Sequence, residues 1–195
     1  MAGPDLNSPM RTFDPVKVAD AEKEAWVVYY QRRWFRLLRM LFRLVQSTFG
    51  LPFWRVPYTA YLLTRAQVAF APKDNDVPLA EACMREFFDI VKRTHHEAFD
   101  PARAAQTEVN WWVVHRQFFG RSDNDAVVDA VAQAYAAAYG VDPASVREAA
   151  YYRAQAMVHS DQWVKAGLPA NSPLLAQEQE ELRKSYAALR RAIGP

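Results

Sequence analysis

The chain has 195 residues, 51% of them hydrophobic, enough to enclose one sizeable core, and 24 basic against 22 acidic residues leave a formal net charge of +2. That near-balance gives no ground for a nucleic-acid partner, and a single cysteine, Cys83, excludes an intrachain disulfide and fits a reducing compartment. The opening residues have neither the basic nor the apolar run of a secretory leader, and no charge-free apolar stretch is long enough to span a bilayer, so a cytoplasmic protein is expected.

Residues 1–13, with Pro4, Pro9, Gly3 and Asn7, read as a flexible amino-terminal arm, and residues 14–195 as a single helical domain. An acid or hydroxyl followed by proline marks the start of a helix at Asp14-Pro15, Asp100-Pro101, Asp142-Pro143 and Ser172-Pro173. Asp76-Val77-Pro78 and Ser122-Asp123 are two further starts, and Gly50, Gly120, Gly140, Gly167 and Gly194 stand where helices should stop. No segment alternates long enough to build a sheet. The fold class is therefore all-α, a bundle of six or seven helices.

The first helix is expected over about 19–49. Val27, Tyr30, Trp34, Leu37, Leu38, Leu41, Leu44 and Val45 fall on one side, and Arg32, Arg36, Arg39 and Arg43 form a stripe on the other. Such a stripe is ordinarily a solvated face. Flanked by Phe35, Met40 and Phe42, it also suits an acidic protein partner or an anionic membrane surface. After a bend at 50–57, shorter helices are expected at 58–70 and 78–95. The tripeptide Asp-Asn-Asp at 74–76 and again at 123–125 lacks the ligand count and glycine of a calcium loop, so helix capping is the reading. Cys83 lies inside a helix and is read as packing. His95 and His96 close that helix, where its dipole favours them.

The helix at 101–119 carries the most informative pattern. At 100° per residue Ala104, Ala105, Glu108, Trp112, His115 and Phe119 share a face, with Trp111, Val114 and Phe118 on a second. A helix apolar on most sides is a buried one, so it is expected to be the aromatic-rich centre of the bundle. It carries Glu108 and His115 inward, and a buried carboxylate needs a partner. An alanine-rich helix at 123–139 follows. In the next, at 143–165, Glu148, Tyr152, His159 and Trp163 repeat the order of acid, aromatic, histidine and aromatic, with Arg153 beside them. The last, Pro173–Ile193, leads with acids and ends with bases and reads as a solvated outer helix.

If those two inner helices face each other, Glu108, His115, Glu148 and His159 converge. Two acids and two imidazoles in a bundle are the ligand types of a metal-dependent oxidase, but no Glu-x-x-His occurs in the chain, so no metal ligand is assigned. A haem held by one histidine has no signature here. Nor is there a phosphate loop, a dinucleotide fingerprint or a paired-cysteine motif to name a cofactor. The blandest alternative is a buried network in which Arg116, Arg153 or Asp161 answers Glu108 and the histidines. The leading functional expectation is a pocket for a small apolar or aromatic molecule, lined by Trp111, Trp112, Glu148, Tyr152, Arg153, His159 and Trp163. In it His115, poised by Glu108, would act as general base on a ligand that is transformed. The competing expectation is a non-enzymatic adaptor that docks through the arginine stripe.

Overall fold

Most of the predicted helix starts are built with the predicted side chain as their cap. A computed structural model of the chain describes residues 7–121 and 124–194. The Asp14 carboxylate accepts from the Val16 and Lys17 amides to open α1 (Pro15–Tyr30), and Asp76 accepts from Leu79 to open α4 (Val77–His95). Asp100 does the same through Ala102 for α5 (Pro101–Gln117), and Ser172 through Leu174 for α8 (Pro173–Ile193). Asp142 caps a short 3-10 turn, Pro143–Val146, that runs directly into α7 (Arg147–Lys165). The remaining helices are α2 (Trp34–Phe49), α3 (Val56–Phe70) and α6 (Asp125–Tyr139). The start expected at 122–123 lies outside the described residues.

The described residues are thus all-helical but hold eight α-helices rather than six or seven, because the expected helix over 19–49 is two. The break carries no glycine or proline. Arg32 takes a left-handed conformation with φ 54°. Its amide donates to the Tyr29 carbonyl and that of Arg33 to the Val28 carbonyl, the paired bonds that terminate a helix around a left-handed residue. Such a residue with a side chain costs roughly 1–2 kcal/mol. What it permits is a tight hairpin in which α2 folds back on α1, with Tyr29 meeting Trp34 edge-on at 6.1 Å between centroids.

Each helix packs on the next in sequence, and α8 packs on α1, so the eight form a closed circuit. α5 is one stave of that circuit and not its axis. It lies against α4 and α6, and Ala102, Arg103, Gln106, Asn110 and Gln117 face solvent. α8, expected outside, closes the ring instead, burying Leu182, Ser185, Tyr186 and Leu189. No described helix is long and apolar enough to cross a membrane.

Residues 8–13 differ from the expected loose arm. Met10 is fully enclosed and Phe13 meets Tyr186 edge-on at 5.8 Å. Arg11 is buried, 3.1 Å from a Glu97 carboxylate oxygen, and donates to the Tyr139 carbonyl at 2.7 Å. Arg11 and Phe13 thereby tie the segment to the link between α4 and α5, to α6 and to α8. Residues 1–6 of that arm lie outside the described residues.

Candidate functional site

A closed circuit of helices leaves an interior, and here it is occupied by charge. An inner chamber of about 140 Å³ has a wall to which every one of the eight helices contributes, from Glu22 on α1 to Tyr186 on α8. Arg153 reaches into it from α7. It pairs with the Glu22 carboxylate and donates to the Tyr135 hydroxyl at 2.9 Å and the Tyr186 hydroxyl at 3.3 Å. The Tyr186 hydroxyl in turn donates to Glu22 at 2.6 Å. The guanidinium also lies 5.1 Å from the Trp111 ring centroid. Burial alone would disfavour the Arg153 cation, but Glu22 and the surrounding phenols and Glu108 outweigh it and hold its pKa well above the ordinary value.

Glu108 lines the same chamber and accepts from the Trp112 indole at 3.3 Å. Burial raises its pKa, and the nearby Arg153 charge pulls the other way. Its residue is mostly covered, and it borders the chamber.

Trp26, Gln67, Trp111 and Trp112 are shared with a second, outer chamber of about 310 Å³. Half open to solvent, it lies where α1 ends and α2 begins, against the ends of α3 and α5, and Tyr29, Tyr30, Trp34, Phe70 and Phe119 give it an aromatic wall. Two arginines and a histidine converge on it. His115 Nε2 lies 3.1 Å from Asp161 Oδ2, which also accepts from the Gly120 amide at 2.6 Å. Arg116 lies flat over Phe70, 4.1 Å from its centroid, and donates to the Phe70 and Pro72 carbonyls, both at 2.7 Å. Arg32 completes the set, and its guanidinium makes no ion pair among the described residues.

The predicted residues therefore divide. Trp111, Trp112, Glu108, Arg153 and His115 do line the interior, but Glu108 and His115 serve different chambers. The imidazole is oriented by Asp161, so the expectation that Glu108 poises it is overturned: seven residues along α5 carry the two side chains too far apart. Glu148 is exposed and pairs with Arg191 at 3.1 Å, since it sits in the solvent-facing first turn of α7. Tyr152 and His159 look toward α8. Lys184 lies over the Tyr152 ring, and burial lowers the His159 pKa. Trp163 is enclosed, its indole donating to the Pro169 carbonyl at 2.9 Å, and lines neither chamber. Accordingly Glu108, His115, Glu148 and His159 do not converge, and among the described residues no three His, Cys, Asp or Glu side chains are placed to share a metal ion. Of the arginine stripe, Arg32 lines the outer chamber, while Arg36, Arg39 and Arg43 are exposed on α2.

Arg11, Glu22 and Glu178 are buried charged residues that the spacing argument passed over. The signal for Glu22 was present: Val18, Ala25 and Tyr29 place it on the apolar face of its helix, the same criterion that singled out Glu108. No protein-family model matches this chain, and no curated protein or solved structure is significantly similar to it.

Proposed function

We propose that the outer chamber binds a small, planar, largely apolar molecule bearing one anionic or hydrogen-bond-accepting group. The observation that carries this reading is the chamber itself: about 310 Å³ of aromatic-walled space on which an unpaired arginine and a histidine converge. That volume lies at the lower end of the range of small-molecule sites, which are apolar clefts with a few placed polar groups. Arg116 is already satisfied by two carbonyls, so the charge available to a ligand is that of Arg32. Arg32 is also one of three described residues other than glycine, with His96 and Leu168, that hold a left-handed backbone, and of these it is the one on the chamber wall. The carboxylate of Asp161 only accepts, so an Nε2–H of His115 donates to it, and in that tautomer Nδ1 is the ring nitrogen that would serve as a base toward a ligand. A ligand with a labile proton is thereby open to transformation.

Titration with anilinonaphthalene sulfonate, an aromatic anion with a planar naphthalene ring, tests the reading. One saturable site is expected, lost in A71W, which fills the chamber from the end of α3, and weakened about tenfold in R32Q, the worth of one charged hydrogen bond. Binding that A71W leaves unchanged would place the ligand elsewhere and overturn the proposal.

A further inference from the structure

From Ala25 to Lys73 the chain contains no aspartate or glutamate and eight arginines or lysines, so the rest of the sequence, with 16 basic and 22 acidic residues, carries a net −6. The whole-chain balance conceals a strong segregation of charge along the sequence. The positive segment is α1's end, α2, the following bend and α3, and its outer surface is not merely charged. Phe35 at the start of α2 is 94% exposed, and Phe53 and Trp54 in the bend are 68% and 77% exposed. Phe42, one face with Phe35 and Arg39 by helical spacing, meets Phe53 edge-on at 5.8 Å, which joins the α2 face to the bend. Arg36 and Arg39 are exposed and make no ion pair among the described residues, whereas Arg43 lies 3.8 Å from Glu24.

We infer that this face seats the protein on an anionic lipid bilayer. A purely solvated helix face would not hold out aromatic rings: leaving a phenylalanine exposed forgoes about 1.5–3 kcal/mol of burial. Aromatic rings that stand clear of the surface beside unpaired arginines match the headgroup layer of a membrane, where amphipathic rings settle among acyl chains and cations meet acidic headgroups. The absence of any acid over 49 consecutive residues reduces the repulsion that such a surface would otherwise meet, leaving the Glu24 carboxylate beside Arg43 at its margin. α2 is then an in-plane helix, its Leu37, Leu41 and Val45 held by the bundle and its opposite side lying on lipid. This inference does not rest on the chamber reading.

Cosedimentation of the full chain with phosphatidylcholine vesicles, with and without phosphatidylserine, decides it. Binding is expected only with phosphatidylserine, falling as salt is raised, about thirty-fold weaker in R36Q/R39Q and about tenfold weaker or more in F35S/W54S. These sites are exposed, so melting temperatures should not move, and A71W should bind vesicles as the native chain does even where it loses the chamber ligand. Equal binding to neutral vesicles, or full retention by R36Q/R39Q, overturns the inference. So does salt-sensitive binding to soluble polyglutamate without any to vesicles, which would assign the face to an acidic protein.

Discussion

Replacing Arg153 by methionine, which keeps the length of the side chain and removes its charge, should be among the most damaging single changes in this chain. The Arg153 and Glu22 side chains are 9% and 5% exposed, so neither can turn to water. Without the guanidinium, Glu22 keeps only the Tyr186 hydroxyl at 2.6 Å, and Tyr135 loses its donor at 2.9 Å. Leaving one charge of a buried pair unanswered costs about 3–5 kcal/mol, and for a chain of this size each kcal/mol lowers the melting temperature by roughly 2–4 °C. A fall on the order of 10 °C is therefore expected for R153M by calorimetry, with a matching shift in the urea midpoint at unchanged m-value. E22L/R153M should recover much of that loss, because the penalty belongs to the stranded carboxylate and not to the absent attraction. An R153M protein within about 1 kcal/mol of the native chain, or a double variant as unstable as the two singles combined, would refute this account of the inner chamber.

Glu178 offers a pH signature. It is enclosed between α8 and its neighbours with neither carboxylate oxygen hydrogen-bonded, and burial raises its pKa from 4.5 to about 8, with Ser160 and Lys23 pulling it down. The unfolded chain releases that proton near 4.5 while the folded one keeps it. The stability contribution is thus whole below that value, declines as pH rises to about 8 and is flat above, a swing on the order of 5 kcal/mol. Denaturation at several pH values should show this slope in the native chain and its loss in E178Q; equal slopes would remove Glu178 as the cause. D100A should cost about 1 kcal/mol through the lost α5 cap, read by urea denaturation, and a neutral result would mean that the cap is dispensable. Gly50 and Gly140 are both left-handed, at φ 55° and 65°, but a Cβ at Gly140 meets nothing whereas one at Gly50 collides with Pro9. G140A should therefore cost roughly 1–2 kcal/mol and G50A measurably more; equality would show that the segment around Pro9 is not seated as described.

What the sequence made legible was local chemistry. Asp14, Asp76, Asp100 and Ser172 announce their helices because a short polar side chain and a proline act within one turn, and the helix at Pro173–Ile193 is found to the residue. The break at Arg32 was invisible for the complementary reason: nothing about an arginine favours a left-handed backbone, and only the packing of α2 back onto α1 imposes it. Helical spacing correctly turned Glu108, Trp112 and His115 inward, since a face is a property of one helix. It offered Asp161 among the groups that could answer the histidines, as it does His115, but it could not say that Arg153 meets Glu22, 131 residues away. The likeness between the two helix faces was misleading for the same reason: Glu148 sits one turn too early, outside the bundle, where Arg191 answers it.

The closure of the circuit by α8 against α1 sets an order of events in the life of the molecule. Arg183 grips Asp20 across a separation of 163 residues, and Tyr186 reaches Glu22 across 164. A ribosome must therefore deliver the segment through α8 before the interior acquires its last wall. Until then a growing polypeptide holds Arg153 and Glu22 in a trough without a lid, and loss of the final helix alone should leave seven sound staves and no barrel.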